Sequence, residues 1–181
     1  MSRVVVELFY DVVSPYSWLG FEVLCRYQHV WNIDLRFRPA FLGGIMQSTD
    51  TLGAMRFITA IDMTQPKYLE PLSREFWLRF WSQHEDVSQV ESILAVAEKA
   101  GLSSELTQKL LEMTSSPAVK NRLKETTEEA VKYGAFGMPA VVAHVNGKPQ
   151  LFFGSDRLEL LASIIGEKWL GPVPSVPSPK M

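Results

Sequence analysis

Ser14-Pro15-Tyr16-Ser17 puts a nucleophile-sized hydroxyl at the junction between an apolar run and a helical one. Val4 to Tyr10 is almost wholly β-branched or aromatic, which suits a strand buried on both faces. Ser14 before Pro15 reads as an N-cap followed by proline at the first helical position. Free N–H groups and the positive end of the helix dipole therefore converge at Ser14, so an anion, a thiolate among them, is the natural guest. Simple capping is what a serine before a proline mostly does, and the residues alone favour that reading while leaving the anion site open. Gly154-Ser155-Asp156 likewise reads as an ordinary cap of a last helix. Cys25 falls mid-helix beside Leu24 and Tyr27 and reads as a small core hydrophobe. His29, His84 and His144 lie far apart without ligand spacing, so they are read as surface or cap residues and no metal is expected. The chain offers no Gly-rich phosphate loop and no Ser-His-Asp arrangement.

Composition narrows the function classes. Hydrophobic residues make up 46% of the 181, with five Trp and ten Phe, a packed globule of one domain or of a small domain carrying an insertion. No run reaches the 18 apolar residues of a membrane span, so a soluble protein is expected. Net charge is -2 and pI about 5.9, leaving no basic stripe for a nucleic acid. A single cysteine forbids an internal disulfide and fits a reducing, intracellular setting. Met1 leads straight into the first strand with Glu7 and Asp11 close behind, which resembles neither a signal nor a transit peptide.

The elements that must position these residues follow from periodicity. Tyr16, Gly20, Val23, Leu24, Tyr27 and Trp31 recur at helical steps, and Gly20 is expected to let this helix lie close to its strand. Ile33 to Arg38 alternates apolar and charged residues before Pro39, predicting a parallel second strand near a sheet edge. After Gly43-Gly44 and a polar connection through Gln47, Ser48, Thr49 and Asp50, the pattern is helical. Leu52, Met55 and Ile58 start it, and Pro66 opens a helix whose stripe of Leu69, Leu72, Phe76 and Phe80 is widened by Trp77 and Trp81. Val90 to Ala97 is a further helix ended by Gly101, and Ser103 caps the next. Ser116-Pro117 starts a charged helix running to Gly134. Gly137-Met138-Pro139 precedes a strand from Ala140 to Val145. Asn146-Gly147 then predicts a hairpin to Leu151-Phe152-Phe153, and a last helix runs through Leu158 to Trp169. The order is β-α-β, helical insert, α-β-β-α. Residues 1–46 and 116–170 form the α/β frame, 47–115 the inserted helical subdomain, and 171–181 a proline-rich flexible tail.

That order is the thioredoxin-like arrangement, and the sequence blocks are more specific than the fold. Glu7-Leu8-Phe9-Tyr10-Asp11 with Ser14-Pro15-Tyr16-Ser17-Trp18-Leu19-Gly20, Ala54-Met55-Arg56-Phe57, Tyr133-Gly134-Ala135-Phe136-Gly137, Phe153-Gly154-Ser155-Asp156-Arg157 and Gly166-Glu167-Lys168-Trp169 closely resemble the kappa-class glutathione transferases. These are DsbA-like proteins in which a serine-led turn replaces the redox Cys-x-x-Cys. With no cysteine in the turn, disulfide exchange is ruled out, since it needs a sulfur there. The resemblance implies that Ser14 hydrogen-bonds the glutathione sulfur, with Pro15 and Tyr16 lining the same turn. It implies a cis bond before Pro139, with the Met138 backbone pairing with the glutathione cysteine. It implies that Ser155 and Asp156 hold the γ-glutamyl end, N–H groups on its carboxylate and the Asp156 carboxylate on its ammonium.

The chain departs from the family between Met46 and Leu52, where relatives carry a long additional stretch contacting the glycine end of glutathione. The nine residues from Gly43 to Thr51 still span roughly 30 Å when extended, so the connection closes. Glutathione transfer to electrophilic small molecules, or reduction of peroxides, is the activity implied. The alternatives are a glutathione-dependent isomerase like the related 2-hydroxychromene-2-carboxylate isomerases, and a non-catalytic interaction protein with an incomplete site. Glutathione as co-substrate, a homodimer, and mitochondrial or peroxisomal placement are likewise implied by the resemblance; the Ser178-Pro179-Lys180-Met181 ending is a poor peroxisomal signal.

Overall fold

The computed structural model describes residues 2–43 and 51–174. The expected polar connection from Gly44 to Asp50, and the tail from Ser175 on, lie outside the described residues. Four strands form one sheet in the order β2-β1-β3-β4: β1 (Val4–Tyr10), β2 (Ile33–Pro39), β3 (Ala140–Val145) and β4 (Lys148–Phe153). β2 runs parallel to β1 at the sheet edge, and β3 and β4 are antiparallel. Val6, Leu8 and Tyr10 point to one face, Glu7 and Phe9 to the other, and all five are buried, as a strand covered on both sides must be.

Seven helices are found among the described residues. α1 (Pro15–Tyr27) packs on the Tyr10 face, and its buried stripe is Ser17, Gly20, Phe21, Leu24, Cys25 and Tyr27. Tyr16, expected on that stripe, is instead 64% exposed. It sits one position ahead of Ser17, about 100° around the helix from the buried face. Gly20 does allow a close approach, but toward a different element: a Cβ there would lie 3.5 Å from Pro139 and 3.7 Å from Ser155.

Between β2 and the frame's return lie α2 (Leu52–Thr64), α3 (Leu69–Trp77), α4 (Val90–Lys99) and α5 (Ser104–Met113). α3 is shorter than the Pro66 pattern predicts: a 3-10 turn (Pro66–Tyr68) precedes it and a wide turn (Leu78–Ser82) follows, leaving Trp81 39% exposed. Trp77 is fully buried and leans on Tyr10 and Phe21, with ring centroids 5.5 and 4.8 Å away. Each such ring removed from water contributes about 1.5–3 kcal/mol, and the buried cluster is continuous from the sheet through these helices. α6 (Pro117–Lys132), capped by Ser116, covers the other face over Phe9, Ala130, Ala140 and Val142, where alanines let helix and sheet approach.

The last helix, α7 (Leu158–Ile165), is shorter than predicted at both ends. Its N-cap is Arg157, without a side-chain cap, and Gly166 ends it in the left-handed conformation. Gly154 takes a φ of +88°, and this turn spends Ser155 and Asp156 before the helix begins. Residues 167–172 therefore leave the helix and dock on the end of α1: Trp169 stacks on Tyr27, Leu170 N–H donates to the Tyr27 hydroxyl, and the Gly171 and Pro172 carbonyls accept from Tyr27 and Arg26.

Candidate functional site

Ser14 sits where its sequence context places it, at the N-terminus of α1, and it is held from several directions. Its Oγ accepts from Ser17 N–H at 3.1 Å, which is the cap, and donates to the Met138 carbonyl at 3.1 Å. Its own N–H donates to the Asp11 carbonyl, and its carbonyl accepts from the Trp77 indole at 3.2 Å. Pro15 takes the first helical position, where a missing N–H costs nothing. Ser14 is only 5% exposed. The Ser17 hydroxyl, three residues along the same turn, is buried without a partner among the described residues.

Met138-Pro139 stands against this turn with the peptide bond between them cis. β3 starts at the next residue, and Gly154 N–H donates to the Pro139 carbonyl, so the loop before β3 and the turn after β4 are tied together. A pocket of about 420 Å³ opens here between Tyr16, Met138, Phe153, Gly154, Ser155 and Asp156. Of the predicted site residues, Tyr16, Met138, Ser155 and Asp156 line this pocket; Ser14 is tied to it through the Met138 carbonyl, Pro15 is its neighbour in the chain, and Pro139 lies with Ser155 against Gly20 of α1. Ser155 is half-buried, and the Asp156 carboxylate is exposed, curling back over Gly154 with Arg157 3.8 Å away.

Three groups near the site are assigned no role by the sequence pattern. Asp11, the residue after β1, is fully buried. Its carboxylate accepts from Val13 N–H at 2.9 Å, Leu42 N–H at 2.8 Å and the Thr51 hydroxyl at 3.3 Å. Burial pushes its carboxyl up to about 6, against the opposing pull of those hydrogen bonds. Trp77 reads in sequence only as core. Phe136, 66% exposed, packs on Phe153 with ring centroids 4.2 Å apart and extends the aromatic wall of the pocket. An acid directly after a buried strand and before a capped turn is the one cue that pointed at Asp11.

Elsewhere, His144 is not the surface or cap residue expected. It lies on β3, and its Nε2 is 2.7 Å from Glu7, whose carboxylate also pairs with Arg38; Arg38 in turn pairs with Glu129 of α6. Side chains of three strands and a helix thereby meet around the Arg38 guanidinium. Cys25 is buried as expected, its thiol pushed up to about 12 by burial. Among the described residues no group of His, Cys, Asp and Glu could hold a metal ion, and no helix is long and apolar enough to cross a membrane.

Comparison with known proteins agrees with this geometry. The family model of the DSBA-like thioredoxin domain matches residues 5–166. The chain is 48% identical over 212 residues to glutathione S-transferase kappa 1 of Homo sapiens, covering 93% of this chain and 94% of that protein. Among solved structures it resembles a 2-hydroxychromene-2-carboxylate isomerase (TM-score 0.68, 18% identity, 90% of this chain and 94% of that one). It also resembles a probable DsbA oxidoreductase from Streptomyces coelicolor (TM-score 0.71, 16% identity, 92% of each chain). Those two likenesses establish the fold; the sequence match establishes the class. A DsbA-like sheet with a serine-led turn and this degree of identity places the chain in the kappa class of the glutathione S-transferases.

Proposed function

We propose that this chain binds glutathione across the Ser14 turn and transfers it, as the thiolate, to electrophilic small molecules. The observation that carries this reading is the contact between the Ser14 hydroxyl and the Met138 carbonyl at the N-terminus of α1. The hydroxyl donates its proton to that carbonyl. A glutathione cysteine entering here offers each group a better partner: Ser14 O–H turns to the sulfur, and the Met138 carbonyl accepts the ligand's N–H. Opposite, Ser155 and Asp156 suit the γ-glutamyl carboxylate and ammonium.

Ser14 then acts as a hydrogen-bond donor to sulfur, not as the nucleophile, because no base among the described residues bonds its hydroxyl. A hydroxyl hydrogen bond to a charged group is worth about 1.5–3 kcal/mol, which lowers a thiol from about 8.5 by one to two units, and the helix terminus adds to this. The thiolate attacks the electrophilic carbon, the S–C bond forms, and the leaving group departs with the bonding pair. With a peroxide as acceptor, sulfur attacks one oxygen, the other leaves with the O–O bonding pair and takes up a proton as alcohol or water, and a second glutathione resolves the sulfenic acid to disulfide and water. A second reading, supported by the fold shared with 2-hydroxychromene-2-carboxylate isomerase, has the thiolate add to a substrate and leave again, isomerising it without consumption of glutathione.

The family's additional stretch between Met46 and Leu52 is taken to be missing here. An alignment of 212 positions that covers 93% of a 181-residue chain supports this, since it must contain a few dozen positions with no residue of this chain. Calorimetric titration with glutathione and with γ-glutamylcysteine tests the whole reading. Binding of both with similar affinity is expected, because the sulfur, cysteine and γ-glutamyl contacts persist and the glycine contacts do not. Failure of both to bind overturns it in favour of a non-catalytic interaction protein, and product analysis with an aryl halide separates transfer from isomerisation.

A further inference from the structure

The Asp11 carboxylate lies at the meeting point of three segments remote in sequence. Val13 N–H, from the β1–α1 turn, donates to its Oδ1 at 2.9 Å, while Leu42 N–H, from the segment after β2, donates to its Oδ2 at 2.8 Å. The Thr51 hydroxyl, one residue before α2, reaches both oxygens at 3.3 and 3.4 Å. The Asp11 carbonyl meanwhile accepts from Ser14 N–H. Leu42 and Thr51 stand on either side of the connection from Gly43 to Asp50, so one carboxylate holds both flanks of that connection and the residue next to Ser14. A buried carboxylate with no cation beside it among the described residues is a costly choice for a mere core position, where a neutral residue would serve at lower desolvation cost. Only an acceptor with two equivalent oxygens satisfies two N–H groups and a hydroxyl arriving from opposite sides.

We propose that Asp11 is a positioning residue of the glutathione site, which sets the orientation of the Ser14 hydroxyl by clamping the turn to the two flanks of the connection. Asp11 touches no reacting atom. It acts through Val13 and Ser14: with Val13 fixed on the carboxylate and Ser14 N–H on the carbonyl of the same residue, the backbone entering α1 has no freedom to swing Oγ away from Met138. The same clamp lets a short connection replace a long one, since Leu42 and Thr51 are brought to a common anchor whatever the chain between them does. The inference rests on the glutathione reading above for its functional consequence, but the clamp itself is testable without it.

The test is Asp11→Asn, alone and combined with Ser14→Ala. An amide presents one acceptor oxygen and an NH2 group, so it satisfies Val13 or Leu42 but not both. Hydrogen–deuterium exchange should quicken about tenfold or more at whichever of the Val13 and Leu42 amides the single amide oxygen leaves unpaired, with Val141 and Val142 in β3 unchanged. The absorbance titration of bound glutathione thiolate should move upward, as in Ser14→Ala, and the double variant should show no further shift, because both changes remove one effect. A faster exchange with an unmoved thiolate titration, or additive shifts in the double variant, would overturn the positioning role. If the unaltered protein binds no glutathione, the functional reading fails, and exchange at Val13 and Leu42 still decides the clamp. If Asp11→Asn does not melt cooperatively, Thr51→Val removes the hydroxyl donor alone; a smaller acceleration at both amides is expected, and no change at either overturns the clamp.

Discussion

Ser14 and Asp156, which the proposed reading puts at the sulfur and at the γ-glutamyl group, are held in opposite ways. Ser14 is buried, with its hydroxyl, amide and carbonyl all bonded, to Met138, Ser17, Asp11 and Trp77. Asp156 projects into solvent with its side chain 75% exposed, and among the described residues it pairs with Arg157 at 3.8 Å. The Ser14 wall is preorganised by the core, so a ligand meets it in place. The Asp156 wall must be ordered by the ligand, and part of its attraction is spent on that ordering. Chemistry belongs on the first wall, where a fixed donor stabilises developing or full charge, and adjustable recognition on the second. Substitutions on the Ser14 side should therefore alter the state of the thiol and the rate of the chemical step, and those on the Asp156 side should alter affinity.

The largest expected effect comes from the buried charge beneath the rigid wall. Asp11 is raised by burial to about 6 from its ordinary 3.8, so the folded chain holds a proton that the unfolded chain releases across that interval. The stability linked to this group is full below about pH 4 and is lost as pH rises through about 6, a loss of about 3 kcal/mol for a shift of two units. Asp11→Asn carries no charge to desolvate. Its stability relative to the unaltered chain should rise by about 3 kcal/mol between pH 4 and pH 7 in denaturant titrations; a gap that stays constant with pH would show that burial does not govern this carboxyl. The protein would then be less stable at neutral pH because of the group that positions its site.

Ser14→Ala tests the same wall at its surface. Loss of a hydroxyl hydrogen bond to the bound thiolate should raise its titration midpoint by about one to two units and lower kcat at pH 7 by roughly tenfold to a hundredfold, with glutathione affinity nearly unchanged. Stopped-flow absorbance of the thiolate and steady-state kinetics measure the two. An unmoved midpoint would remove Ser14 from the role assigned to it.

Much of this rigid wall is legible in sequence, because it is built from local signals. A β-branched run, a serine before a proline, and an Asn-Gly turn each report on neighbours a few residues away, and β1, the start of α1 and the β3–β4 hairpin all lie where those signals put them. What holds the wall is not legible: Leu42 and Thr51 reach Asp11 across 31 and 40 positions, and Trp77 reaches Ser14 across 63. No spacing rule announces a contact that only the folded helices create. The softer wall misleads for the opposite reason. Ser155-Asp156 has cap composition, yet Gly154 turns the chain left-handed, so those residues are spent on the turn and α7 starts without a side-chain cap. Resemblance to the kappa class, not local pattern, brought those two residues to the site.

Gly154→Ala probes that turn. A φ of +88° disfavours any residue with a Cβ, and a Cβ here would stand 2.7 Å from the Asp156 carboxylate. The backbone cost is about 1–2 kcal/mol, read as a lower melting temperature. The carboxylate end of a flexible side chain yields readily, so Asp156 should swing outward and weaken glutathione binding without moving the thiolate midpoint. A shift in that midpoint would mean that the two walls are mechanically coupled.

Asp156→Asn should produce the smallest change. The side chain packs against little and pairs weakly with Arg157, so stability should stay within about 0.5 kcal/mol. In the proposed complex its carboxylate would meet the γ-glutamyl ammonium at a solvent-exposed position, where such a pair contributes about 0–1 kcal/mol and is screened by salt. KM for glutathione should therefore rise by no more than about fivefold at low ionic strength, with the difference shrinking toward 1 M salt and kcat unchanged. The thiolate midpoint should also hold, because the Ser14 wall is complete without Asp156. Steady-state kinetics across a salt series decide it. A loss of a hundredfold or more, insensitive to salt, would mean that ligand closes this side into a buried pair, and the division between a rigid catalytic wall and an adjustable recognition wall would then have to be given up.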